Sequence, residues 1–187
     1  MLPTMLRAVV VGAVGFSLAS LCVFATVSFG ERWLYTHVGV LGAYLVWTAL
    51  FILLGGAVLG SLVAPETKWG RLPKFYLLYG LAFFAYALAW VGAYFSFRGK
   101  AGEWVGSIAG SVLMALVFAS GFGAMRTIVK LSVVLFVANS IGYFAGSALN
   151  EYVGGKGGMM GWGIVYGLFL GAGMGAVLRW AQEQSGP

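Results

Sequence analysis

The sequence contains no aspartate, one cysteine (Cys22) and one histidine (His37), and only 9% of its 187 residues are charged. Each shortage excludes something. One cysteine cannot form an internal disulfide, nor hold a self-contained iron–sulfur cluster or a multi-cysteine zinc site. One histidine cannot supply both axial ligands of a bis-histidine haem within the chain. No cofactor site is evident from the residues. Charge this sparse cannot cover a water-facing surface, for which soluble domains use about 25% charged residues. With 61% hydrophobic residues, a hydrocarbon solvent resolves the conflict. The net charge of +6 does not point to nucleic acid, because the eleven Lys and Arg are scattered between apolar runs. Scattered basic residues orient a chain in a bilayer and meet anionic lipid.

A helix needs about 20 apolar residues to cross roughly 30 Å of hydrocarbon. Six stretches qualify, near 8–29, 38–63, 74–97, 104–125, 129–149 and 158–179, and no proline interrupts them. Pro65 and Pro73 bracket the second loop, where one helix should end and the next begin. The run from Ala8 to Phe29 is too long for the apolar core of a signal peptide, so it reads as a retained first helix. The expected fold is an all-α, polytopic membrane helical bundle of about six transmembrane helices in a single domain. Under that topology, Arg7, Lys68, Arg71, Lys74, Arg126, Lys130 and Arg179 fall on the side of the termini. Arg32, Arg98, Lys100 and Lys156 fall on the other. Positively charged flanks stay inside, which places both termini in the cytoplasm.

Thirty glycines need a reason. In a bilayer, small residues let two helix backbones approach closely. Gly163, Gly167, Gly171 and Gly175 are spaced by four along the sixth span and form one smooth stripe; Gly142 and Gly146 do the same on the fifth. These six are candidate helix-packing residues in a glycine-mediated bundle. The segment 154–158, Gly-Gly-Lys-Gly-Gly, lacks the full spacing and the Ser or Thr of a phosphate loop and reads as a flexible turn.

Polar groups deep in hydrocarbon are costly. Asn139 and Ser140 lie near the middle of the fifth span, and no span has a carboxylate near its centre. A proton pump, which usually needs an intramembrane acid or histidine relay, is therefore disfavoured. Nothing pairs His37 with an activated serine, so no enzyme is indicated. Trp33, Trp47, Trp90, Trp104 and Trp162 all fall in the outer half, with Tyr44 among the tyrosines there; only Trp69 and Trp180 fall inside. Interfacial belts usually form on both faces, and this one is lopsided.

Two functional readings follow. The first is a transport or channel component that binds a small, mostly uncharged solute from the outer side. Its candidate ligand-binding residues are Asn139, Trp47, Trp90, Tyr44 and His37. The second is a non-catalytic structural or accessory subunit of a larger membrane complex, docked through an apolar face such as the glycine stripe. The expected partners are the lipid bilayer and, on the second reading, other membrane subunits, with no nucleic acid and no metal.

Overall fold

In a computed structural model, residues 3–184 are described, and among them all the regular structure is helical, with no strand. The helices are α1 (Met5–Gly60), α2 (Leu72–Phe97), α3 (Gly99–Phe122), α4 (Ile128–Val153) and α5 (Gly155–Gln184), with a 3-10 turn at Met125–Thr127 before α4. Five helices are long and apolar enough to cross a membrane. The chain is therefore a multi-pass membrane protein by the length and composition of its helices.

The count differs from the expected six because residues 30–37, which hold Glu31, Arg32 and His37, are helical rather than a loop. They join the first two expected spans into one 56-residue helix. Polar residues at a helix end need no loop if the backbone can keep its hydrogen bonds, so charge marked the edge of the apolar run but not the end of the helix.

α1 is not straight. Gly39 leaves the helical region (φ 72°, ψ 175°), a conformation essentially confined to glycine. Residues 5–38 and 40–60 form two arms that fold back on each other. The rings of Phe16 and Phe51 stack with centroids 5.7 Å apart, although 35 residues of straight helix would separate them by about 52 Å at 1.5 Å per residue. Val23 and Leu34 of one arm share a small core with Ala43 and Trp47 of the other.

The same device recurs. α2 turns into α3 through Arg98 (φ 54°, ψ 158°) and Gly99, and α4 turns into α5 through Gly154 (φ 70°, ψ 169°) and Gly155. The bundle is thus three antiparallel helical hairpins, all closed at one end, here called the turn end. The first and last described residues and the connections 61–71 and 123–127 lie at the opposite end, here called the terminus end. There Gln182 clamps the first connection, its Oε1 accepting from the Ala64 N–H at 2.8 Å and its Nε2 donating to the Leu62 carbonyl at 3.1 Å. Trp69 Nε1 donates to the Gly121 carbonyl at 2.8 Å.

Arg98 is the one described non-glycine residue with positive φ. Such a residue costs of order 1–3 kcal/mol. Arg98→Gly is therefore expected to raise the melting temperature in detergent by a few degrees. A fall in the melting temperature would contradict the strain argument.

α5 is the most buried helix, packed against both α1 and α4. Its glycine stripe faces the first arm of α1, antiparallel to it. A methyl carbon added at Gly163 would lie 2.7 Å from Phe24 Cβ, and one at Gly167 would lie 2.6 Å from the Ser17 Cα. At Gly171 it would meet Phe16 Cβ at 2.6 Å and run into the Gly12 carbonyl, and at Gly175 it would run into that of Ala8. Ser17 Oγ donates to the Ile164 carbonyl across this seam at 2.9 Å. On the other side of α5, a methyl at Gly142 would lie 3.0 Å from the Tyr166 carbonyl oxygen, and Gly146 receives the Trp162 indole.

Candidate functional site

One face of α2 carries Phe75, Tyr79, Phe83, Tyr86, Trp90 and Tyr94, spaced by three or four residues. Side chains at those spacings share a helix face. The rings stack in sequence: Phe75 on Tyr79 at 5.8 Å, Phe83 against Tyr86 at 5.6 Å, Trp90 on Tyr94 at 5.5 Å. The end near the termini is buried among α1 and α3. Toward the other end the rings face a cleft of about 290 Å³.

The cleft lies between the two arms of α1, α2, α4 and α5 and opens toward the turn end. Val23, Phe24, Val27, Glu31 and Tyr35 come from the first arm, and Tyr44, Trp47, Thr48 and Phe51 from the second. α2 gives Phe83, Tyr86, Trp90 and their neighbours; α4 gives Tyr143; α5 gives Met159, Trp162 and Tyr166. Eleven of the eighteen lining residues are aromatic, and Glu31 is the one that carries a charge.

The indoles are set by glycines. A methyl on Gly146 would lie 2.9 Å from Trp162 Nε1, so the N–H edge of that ring is seated on α4. A methyl on Gly106 would lie 3.2 Å from Trp90 Cδ1, so that edge of Trp90 is seated on α3. Tyr143 stands between them, 5.1 Å from Trp90 and 5.3 Å from Trp162. Trp47 meets Tyr35 at 6.0 Å and Tyr44 at 5.6 Å, both edge to face. Such pairs add about 0.5–1.5 kcal/mol beyond area burial, so the walls hold their shape.

The floor is different. Tyr86 donates its hydroxyl to Asn139 Oδ1 at 2.7 Å, and its oxygen lies 2.8 Å from the Tyr166 hydroxyl. With the Tyr86 proton committed to Asn139, Tyr166 donates to Tyr86. Asn139 Nδ2 donates to Ser107 Oγ at 2.8 Å, and Ser107 meets Ser140 Oγ at 2.8 Å. The chain runs from the cleft floor into the contact between α3 and α4, and ties α2, α3, α4 and α5 together. Asn139 is fully buried, and both ends of its amide are used.

The candidate residues therefore separate. Trp47, Trp90 and Tyr44 line one cleft. Asn139 does not line it; it stands one layer behind, holding Tyr86. His37 is elsewhere: exposed, its ring stacked on Trp33 at 4.4 Å and its Nδ1 2.8 Å from the Trp33 carbonyl oxygen. Tyr86, Tyr166 and Tyr143 were not singled out from the sequence, and Trp162 was noted only among the outer tryptophans. The stripe on α2 was a readable signal for Tyr86. For Tyr166, four residues beyond Trp162 on the helix of the glycine stripe, helical periodicity offered a weaker one.

No protein-family model, curated protein or solved structure matches this chain. Its function is therefore argued from its own geometry.

Proposed function

We propose that this chain is a six-span membrane protein, with both termini in the cytoplasm, that binds a small solute with an apolar body in the aromatic cleft, as a transport or channel component. The six spans are the two arms of α1 and the four helices that follow, packed through their glycines. Seven basic residues flank the terminus end and four the turn end, which favours the turn end as the outer face. The cleft then opens outward.

The observation that carries this reading is the cleft itself. About 290 Å³ lies at the small end of the range of ligand pockets, which are typically about 300–1,000 Å³, mostly apolar, with a few placed polar groups. A bundle that needed only to fold would gain by filling that volume with side chains, since packed interiors leave few voids larger than a water molecule. An interfacial belt would spread its rings over the lipid face. Here Trp47, Trp90, Trp162 and Tyr143 line one cleft instead.

The accessory-subunit reading called on the glycine stripe of α5 as a docking face. That stripe lies against α1 of the same chain, so this support is lost to it.

The test is saturable binding of a neutral fluorescent aromatic, N-phenyl-1-naphthylamine, to the full chain in nanodiscs, against protein-free discs. Trp47→Ala is expected to weaken binding about tenfold, the loss of about 1.4 kcal/mol. Trp33→Ala, at an exposed ring outside the cleft, is expected to leave it unchanged. Equal affinities for the two variants, or no saturable signal, would refute the cleft as the binding site.

A further inference from the structure

Eleven aromatic rings form a cleft in which no lining residue is Lys, Arg or His, and the one charged lining residue is Glu31. The ring faces are negative by their quadrupoles. A cation placed over such a face within about 6 Å is attracted, and more strongly when desolvated. Glu31 adds a carboxyl group at the rim, in the same lining as Tyr35 and Tyr44. The carboxylate of Glu103 acts on Tyr143 from outside the lining, and is itself paired with Lys100 at 3.2 Å.

None of the four basic residues of the turn end, Arg32, Arg98, Lys100 and Lys156, lines the cleft, although Arg32 is the chain neighbour of Glu31. Lys100 is on Glu103, and Lys156 sits over the Phe29 ring at 4.3 Å. The protein also uses rings to hold ammonium groups at the opposite end, where Lys130 lies 3.7 Å from the Trp180 ring centroid. An anion in the cleft would face ring quadrupoles and a carboxylate with no basic side chain in the lining. A neutral solute would leave the charge at the rim unused.

We propose that the solute taken by this cleft carries a single positive charge: a compact organic ammonium on an apolar body, its charge among the ring faces and drawn to Glu31. This rests on the cleft being a binding site and narrows what binds there. The apolar body meets Phe51, Phe83 and Trp162. The ammonium is served without a buried counter-ion, which would be costly in a bilayer.

The experiment compares two ligands of one shape, benzyltrimethylammonium and its neutral isostere neopentylbenzene, by displacement of N-phenyl-1-naphthylamine from the full chain in nanodiscs, with protein-free discs as blank. The cation is expected to bind at least tenfold more tightly than the isostere. Glu31→Gln, at an exposed position, is expected to weaken the cation about tenfold and leave the isostere unchanged. Equal affinity for both ligands, or a cation affinity untouched by Glu31→Gln, overturns the charge inference while the cleft stands as a site. Binding of neither ligand, with no saturable binding of the fluorescent probe, overturns both.

Discussion

Gly171→Leu is expected to abolish the folded, monodisperse protein, or to lower its melting temperature by more than 10 °C. The reason is what the side chain would meet. Even a single methyl carbon at Gly171 runs into the carbonyl of Gly12 and stands 2.6 Å from Phe16 Cβ. Flexible side chains can step aside, but a helix backbone cannot. A leucine would hold α1 and α5 apart along the seam that runs from Ala8 to Phe24 and would break the bond from Ser17 to Ile164. Overpacking in a well-packed interior typically costs about 1–3 kcal/mol, and backbone neighbours put this site at or above the upper end. Gly92→Leu is the control, because a methyl there meets nothing within 4 Å. Gel filtration and thermal unfolding in detergent read both. Matching behaviour of the two variants would remove the seam from the account of stability.

Asn139→Leu is expected to destabilise the bundle by about 1–3 kcal/mol while keeping the branched shape of the side chain. The change removes the acceptor of the Tyr86 hydroxyl and a donor to Ser107, leaving Tyr86 only Tyr166 and Ser107 only Ser140. Measured interhelical hydrogen bonds in bilayers average about 0.6 kcal/mol, with a maximum near 1.7, and Asn139 makes two. A buried polar group left without its partner costs more than the bond itself contributed. The double variant with Tyr86→Phe, which also removes the partner of Tyr166, should lose less than the sum of the two single variants. A double-mutant cycle by thermal unfolding measures the coupling. Strict additivity would mean that the hydrogen bond from Tyr86 to Asn139 contributes nothing to stability.

Much of this molecule was legible in the sequence, for reasons that differ by residue. Trp47, Trp90 and Tyr44, which line one cleft, could be grouped because they lie within a few turns of the same end of their spans, and depth in a bilayer follows from position along a helix. His37 was grouped with them by the same rule, and it lies outside the cleft. Depth says nothing about direction around the helix, and His37 points along the outside of α1 onto Trp33. Asn139 was noticed because an amide in hydrocarbon must find partners. Its partner, Tyr86, is 53 residues away, and no local pattern pairs them.

The expected loop at residues 30–37 failed for a physical reason. Charged and polar residues there mark where the chain leaves hydrocarbon, but a helix can continue through that boundary because its backbone bonds are internal. Reversal needed only one residue, Gly39, with a positive φ. Among thirty glycines, the one that turns the chain carries no label of its own.

The sequence by itself determined the solvent, the helices and the smooth face of α5, because hydropathy and the spacing of side chains on a helix are local properties. Only the tertiary structure decided that the smooth face belongs to α1, that Gly39 folds the first helix onto itself, and that rings from α1, α2, α4 and α5 converge on one cleft. Those depend on which helix lies beside which. That choice rests on the fit of whole surfaces across the bundle and is written in no single stretch of chain.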